Sequence, residues 1–438
     1  MTPIELLQEL LRVDSTNPPG NEGPAAEILR ARLDAAGLQT RIEKSPAGRP
    51  NLIARLPGPT DRPALVLLSH TDVVPVESDR WIHDPFGGEV HDGHIWGRGA
   101  LDMKGIGALH CAAAEETALS GREPTRELVV CAVADEEAGG NEGAGWLVNE
   151  HPELVGFGDN RPLPEVLGEG SFGLSGVIER PLMPIVLGEK KAMWIELTAT
   201  GDPGHGSLPP ARQAPVNLAA TVREVAGYGS PRVHPVMRRQ FRVLADVSGG
   251  ARKRIFQALA SGSGSLVASA LRKQLRGLGA IGALLADSVT PTALSAGYKH
   301  NVVPGEARAS LDCRLLPDTD LDEFLAQLRK KAAKNHVSIA TIGSHAGPVT
   351  KETSLFSAMQ SVSEALPANP VVVPSLTPGF SDLRFFRAKG AAGYGWVPVI
   401  ITPELLATVH GHDERIPVAE FETGVDAMTS LVKRAITA

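Results

Sequence analysis

The chain has 438 residues, 42% of them hydrophobic and 21% charged, with a formal net charge of -7. The length argues for two domains and the composition excludes a disordered chain. A net negative charge speaks against a general nucleic-acid binder, which needs surplus Lys and Arg for phosphates.

Residues 3–12 and 22–36 read as helices, the second opened by Asn21 and closed near Gly37. Met1–Arg12 lacks the basic start and unbroken apolar run of a signal peptide, and no segment has the apolar length of a membrane span. The three cysteines, Cys111, Cys131 and Cys313, sit in apolar stretches and make no disulfide framework. A cytoplasmic protein is therefore expected.

Short apolar runs then alternate with helical patterns: strands at 51–56 and 64–70, a helix at 104–120, a strand at 127–134 and a helix at 141–150. Such alternation predicts an α/β layer with a mixed, largely parallel sheet. Ligands of such sheets bind beyond the carboxyl ends of the strands.

From about Lys190 the pattern changes. A strand at Met193–Thr200, a helix at Ala214–Tyr228, strands at Thr292–Tyr298 and Ala307–Leu316, a helix at Leu321–Asn335 and a strand at His336–Ile342 follow. The order β-α-β-β-α-β predicts an α+β ferredoxin-like sandwich. Gly343–Pro348 reads as a hinge, then a helix at 354–365, a strand, a helix near 381–388 and a last helix at about 417–436. We expect residues 190–345 to be inserted into a domain formed by 1–189 and 346–438, since ligand-like residues flank the insert on both sides. Residues 229–288 exceed the six-element count. They hold ten Arg or Lys against two Asp and read as a solvated basic excursion.

Several apolar runs end in acids or imidazoles: Ala64 to His70-Thr-Asp72, Leu128 to Glu136-Glu137, and Pro164 to Glu169. Asp102 lies in the glycine-rich stretch Gly97–Gly105, and His410-Gly-His412-Asp-Glu414 follows apolar chain near the end. A buried strand tip tolerates a carboxylate only if its charge is compensated, and a pair of divalent cations would compensate all of these together. His70 and Asp72, two apart on extended chain, leave the same face, so His70 can ligate while Asp72 orients its ring. Asp102 suits a bridging carboxylate; its glycines match neither a dinucleotide fingerprint nor a Walker loop. Glu136 and Glu137, if extended, point opposite ways, one to ligate and one to act as general base. The plain alternatives are a solvated acidic turn at Glu136-Glu137 and a turn acid at Glu169. His410 and His412 compete for the last ligand position, and His110 reads as a satisfied interior side chain.

At these residues the chain resembles the M20 metallopeptidase family, which includes aminoacylase-1, glutamate carboxypeptidases, acetylornithine deacetylase and succinyl-diaminopimelate desuccinylase. The matching motifs are Ser69–Asp72, Gly97–Lys104, Asp135–Glu137, Gly204–Ser207, Asn301–Pro304, and His410 followed four residues on by Glu414. Gly379–Phe386 and His410–Arg415 look closest to aminoacylase-like members. The resemblance implies a di-zinc centre, with cobalt or manganese as substitutes. One zinc would be held by His70, Asp102 and Glu169, the other by Asp102, Glu137 and His410, with Glu136 as general base and Asp72 as partner of His70. It also implies a cis Asp102–Met103 bond and a homodimer formed through the inserted lid domain. His205 would be lent to the partner's active site, Asn301 and Arg314 would contact the substrate's carboxylate end, and Gly379 would also bind substrate. Read without the resemblance, His205 is a loop histidine and Arg314 a surface strand residue.

The expected activity is hydrolysis of the amide of an N-acyl amino acid or short peptide bearing a free carboxylate. A carboxypeptidase, dipeptidase or desuccinylase of the same family is the nearest rival. A silent metal-stabilised binding protein has no use for Glu136, and a dinucleotide-binding oxidoreductase lacks its glycine fingerprint.

Overall fold

The computed structural model describes residues 1–271, 273, 280–345 and 347–437. They form two compact units. One comprises Met1–Gly188, Pro348–Ser375 and Ser381–Ala438; the other comprises Glu189–Gly347 with Leu376–Phe380.

The first unit is built on an eight-stranded sheet. In spatial order its strands are Gln39–Lys44, Pro50–Leu56, Leu128–Val133, Leu65–His70, Glu165–Leu174, Ala392–Ile401, Leu182–Glu189 and Val371–Thr377. The four central strands run parallel, Leu65–His70 pairing with Leu128–Val133 on one side and with the start of Glu165–Leu174 on the other. Every residue of Leu65–His70 and Leu128–Val133 is buried, which is why these segments read as unbroken apolar runs. On one face, helices Ala144–Glu150 and Leu383–Ala388 pack Leu147, Val148 and Phe386 against Ile53, Val66, Leu68, Val129, Cys131 and Val133. On the other, helix Lys104–Leu119 covers the strand ending at His70 and packs against helix Val418–Thr437. The sheet is thus mixed and largely parallel, as the alternation predicts.

Three local expectations are corrected. The second helix is Gly23–Ala35, preceded by Glu22 as its cap residue; Asn21 instead donates its side-chain amide to the Asp14 carbonyl. The helix expected from residue 141 begins at Ala144, because Gly143 is held against the Ala134 carbonyl in a non-helical conformation. The strand carrying Glu169 runs on to Leu174, and the strands Gln39–Lys44 and Leu182–Glu189 escaped the pattern. Gln39–Lys44 is an edge strand with no fully buried position, so it leaves no hydrophobic signature.

The second unit carries a five-stranded antiparallel sheet. Its four long strands, Lys191–Thr200, Ser288–Ala296, Glu306–Leu315 and Val337–His345, lie in the spatial order second, third, first, fourth. Helices Ala214–Val225 and Leu321–Ala333 bury Leu218, Leu328 and Ala332 against Ile195, Leu197, Ala309 and Leu311. This is the β-α-β-β-α-β sandwich. Its first helix stops at Val225 and Gly227–Tyr228 forms a short strand, so the expected end at Tyr228 was too late. The last strand continues through His345, and the segment read as a hinge is in part strand; Ala346 lies outside the described residues.

Helices Pro235–Val247, Gly250–Ala260, Gly264–Ala270 and Ala280–Ala283 occupy the basic excursion. The first buries Val236, Met237, Phe241 and Leu244, while Arg239, Arg242, Arg252, Lys253 and Arg254 are exposed. Arg272 and Arg276 lie outside the described residues. No helix among the described residues is long and apolar enough to cross a membrane.

Candidate metal centre

The parallel strands deliver their polar tips to one place. His70 ends its strand, and its ring is held from two sides. Nδ1 lies 2.9 Å from the Asp72 backbone carbonyl, and Nε2 lies 3.1 Å from Asp102 Oδ1. A carbonyl can only accept, so Nδ1 carries a hydrogen, which leaves Nε2 as the nitrogen that donates to Asp102 while protonated and that could ligate an ion once deprotonated. The Asp72 carboxylate, expected to orient the ring, stands with Oδ1 at 3.5 Å, and the backbone of Asp72 is the closer partner.

The Asp72 carboxylate is fully buried and has further work. It accepts from Asn17 Nδ2 at 2.8 Å and from the backbone amides of Glu136 at 3.2 Å and Glu137 at 3.1 Å. Burial alone would raise its pKa, but hydrogen bonds from His70, Asn17 and the Glu137 amide keep it below the usual carboxylate range. Glu136 and Glu137 do not lie on extended chain. They occupy a short 3₁₀ turn entered through Asp135 at φ 73°, so the argument from strand alternation is corrected. Asp72 is the clamp that ties this turn to the neighbouring strand. Asn17 carried no sequence signal beyond its place in Asn17-Pro18-Pro19.

Asp102 follows a loop wrapped around a buried ion pair. Arg98 Nη1 donates to Glu414 Oε2 at 2.6 Å. The Glu414 carboxylate also accepts the amides of Gly99, Leu101 and Asp102 at 3.1, 2.8 and 3.0 Å. Gly105 permits this fold, since a Cβ there would stand 2.2 Å from the Ala100 carbonyl oxygen. The Asp102–Met103 peptide is cis, as the resemblance implies. The spacing of His410 and Glu414 thus has a local reason: Glu414 anchors the loop while His410 faces the carboxylate at its end.

His410 Nε2 lies 3.1 Å from Asp102 Oδ2 and 3.3 Å from Glu137 Oε2. Its rival His412 meets Glu77 at 3.0 Å on the surface. Two groups of potential ligand atoms result, His70 with Asp102 and Glu169, and Asp102 with Glu137 and His410, the atoms of each lying within 4.8 Å of one another. Asp102 belongs to both. Glu136, 8% exposed, belongs to neither.

The electrostatics ask for positive charge. Burial pushes Glu136 and Glu169 well above the ordinary carboxylate range, and Glu137 upward as well. Glu137 Oε1 is buried and meets no hydrogen-bond donor among the described residues. Asp102 goes the other way. Burial opposes its charge, yet hydrogen bonds from His410 and His70 hold it far below the usual value. His70 is raised despite its burial, by Asp102 and then Asp72, and His410 is raised to about 10 by Asp102 and Glu137. Protons thus fill the role that cations would take. Two imidazole nitrogens and three carboxylates, one common to both halves, fit a pair of divalent cations.

This gives a sign for pH. A group whose pKa is raised on folding stabilises the protein below its unfolded value and loses that contribution as pH rises through the folded one. For His410 the window runs from 6.5 to about 10. Metal-free protein is expected to lose thermal stability across that window, and added zinc to restore more at its upper end. Melting curves with and without chelator check this; a zinc effect independent of pH contradicts it.

The residues expected to bind substrate lie in the second unit and form two pairs. His205 Nδ1 accepts from the Ser207 hydroxyl at 2.7 Å, and Gly204–His205 pairs with Val302–Val303 beside Asn301, whose carbonyl accepts the Gly206 amide at 2.9 Å. The Arg314 guanidinium stacks 4.9 Å from the Phe380 ring, next to Gly379, and its Nε meets Asp312 at 2.9 Å. His110 is buried as expected, but neither ring nitrogen has a partner among the described residues, so "satisfied" is corrected; burial lowers its pKa to about 3 and keeps it neutral.

A carboxylate shared by two imidazole-containing clusters, beyond the ends of parallel strands and beside a buried glutamate, defines a metallohydrolase. The chain belongs to peptidase family M20/M25/M40, whose model matches residues 66–434. It is 29% identical to aminoacylase-1 of Sus scrofa over 437 residues, 98% of this chain and 94% of the pig protein. Its fold is that of an M20 family metallo-carboxypeptidase from Sulfolobus solfataricus, with TM-score 0.76, 20% identity and 99% of each chain covered. A dinuclear metal binding peptidase of the family from Bacillus subtilis, YXEP, matches with TM-score 0.61 and 13% identity, over 99% of this chain and 97% of that one.

Proposed function

We propose that this protein is a di-zinc amidohydrolase that cleaves N-acyl amino acids. The observation that carries the reading is the pair of clusters joined at Asp102 with Glu136 buried alongside. His70, Asp102 and Glu169 would hold one ion; Asp102, Glu137 and His410 would hold the other. When bound, such ions supply positive charge that polarises a carbonyl and acidifies water. Glu136 takes the proton of the attacking water on a carboxylate oxygen and returns it to the leaving nitrogen as the amide C–N bond breaks. Its burial, which raises its proton affinity, suits a group that must both accept and donate. Asp72 keeps the His70 and Glu136 segments in register.

Arg314 and Asn301 bind the substrate carboxylate on this reading, with Gly379 also lining the substrate site; a guanidinium grips a carboxylate with two parallel bonds. His205 stabilises the oxyanion in trans across a homodimer. Mixed dimers of His205→Ala and Glu136→Gln chains are then expected to regain activity that neither parent shows; verified hybrids that stay inactive would assign His205 a role within its own chain or none. Similarity to aminoacylase-1 over nearly the full length favours acylated amino acids over peptides. A hydrolysis screen of N-acyl amino acids, dipeptides and N-succinyl amino acids, with zinc, cobalt or manganese, tests this. Turnover confined to dipeptides would favour a dipeptidase or carboxypeptidase. We also place the protein in the cytoplasm, because all three cysteines are unpaired and buried.

A further inference from the structure

Asp382 precedes helix Leu383–Ala388 and is 4% exposed, yet neither of its carboxylate oxygens has a hydrogen-bond partner among the described residues. The nearest cation, Arg384, holds Nη1 3.9 Å from Oδ1, beyond hydrogen-bonding range. That guanidinium is directed elsewhere, to the carbonyls of Ser381 at 2.8 Å and Gly139 at 2.7 Å. A buried carboxylate without a partner carries a large desolvation penalty, and folded proteins offset such groups with a water or an ion.

The surroundings show which. Asp382 lines a cavity of about 10 Å³ together with Ser69, His70 and Glu169 on its polar side and Leu68, Met103 and Leu383 on its apolar side. That is about the room that one water needs. The walls carry polar groups that a water needs: two carboxylates to receive its hydrogens and the Ser69 side chain, which can donate to its oxygen. Space for the carboxylate itself comes from Gly140, where a Cβ would stand 2.1 Å from Asp382 Oδ1 and where φ is +64°. The same turn follows Glu136 and Glu137, and the Arg384–Gly139 bond ties it to the Asp382 segment.

We propose that Asp382 is a further positioning residue of this site. It holds a single buried water between its carboxylate and that of Glu169, and so sets the direction in which Glu169 faces His70 and Asp102. This rests on the reading of Glu169 as a metal ligand. Groups that orient a ligand from behind typically change metal affinity by about 10- to 100-fold when removed.

The test uses the full-length protein loaded with cobalt(II), its affinity read by chelator competition and its coordination by the visible spectrum. Asp382→Leu, which fills the cavity with apolar atoms, is expected to weaken cobalt binding by about 10- to 100-fold and to shift the spectrum. The melting temperature of the metal-free variant is expected to hold, since an uncompensated buried charge has been removed. Asp382→Asn keeps a carbonyl acceptor and is expected to stay close to wild type. Unchanged affinity and spectrum in Asp382→Leu overturn the proposal. If that variant does not fold, the smaller Asp382→Val is read by the same criteria. A wild-type protein that binds no cobalt overturns the metal-site reading itself, a result distinct from a wild type and an Asp382→Leu that bind equally well.

Discussion

Glu136→Gln is expected to retain two metal ions and bind substrate with little change in KM, while kcat falls by about 100- to 10,000-fold, the usual contribution of a positioned general base. The reasoning is geometric. Glu136 lies outside both clusters of ligand atoms, so neutralising it removes no ligand, and the amide is nearly isosteric with the acid. Its backbone amide is held by Asp72 whatever its side chain carries. Steady-state kinetics combined with metal analysis separate the possibilities. Turnover near the wild-type rate would remove Glu136 as the base, and loss of metal would reassign it as a ligand.

Asp102→Ala is expected to have the other large effect, by a different route. Each carboxylate oxygen of Asp102 faces one imidazole, Oδ1 towards His70 and Oδ2 towards His410. Removing it takes a ligand from both halves at once and leaves Glu136, Glu137 and Glu169 crowded without a cation. Metal content should fall from about two ions to less than one, and hydrolysis by about a thousandfold or more. Loss of the several kcal/mol that metal ions contribute to such reactions accounts for that factor at about 1.4 kcal/mol per decade. Full retention of one ion would mean that the two halves are independent and that Asp102 does not bridge.

Much of this was legible because buried chemistry leaves compositional marks. His70 and the Glu136-Glu137 pair announced themselves as polar residues closing strands buried on both faces. What the pattern of residues hid was everything decided by backbone geometry. Glu136 and Glu137 were expected on extended chain and sit on a turn, because Asp135 adopts a left-handed conformation that no periodicity reveals. The ring of His70 is oriented by a carbonyl, and main-chain groups are the same in every sequence. Asn17 lies remote in sequence from Asp72, and Asp382, although inside the Gly379–Phe386 stretch, lies remote from Glu169, so only the folded chain brings each pair together. The separation of His410 from His412 rested on resemblance, and its physical cause is visible in Glu414 anchoring the loop of Asp102.

The first unit is stitched from three stretches of chain, and the second unit's residues interrupt it. A ribosome making this protein releases Asp102 about three hundred residues before His410. At the usual pace of synthesis, about 5–20 residues per second, that interval lasts some 15 to 60 seconds. For most of it the nascent chain carries Glu136, Glu137 and Glu169 without one of the two imidazoles that complete their surroundings. Of the two clusters, that of His70, Asp102 and Glu169 is therefore complete in sequence early in synthesis, and that of Asp102, Glu137 and His410 only near its end, so on the proposed reading the two ions would be captured at different stages of biogenesis.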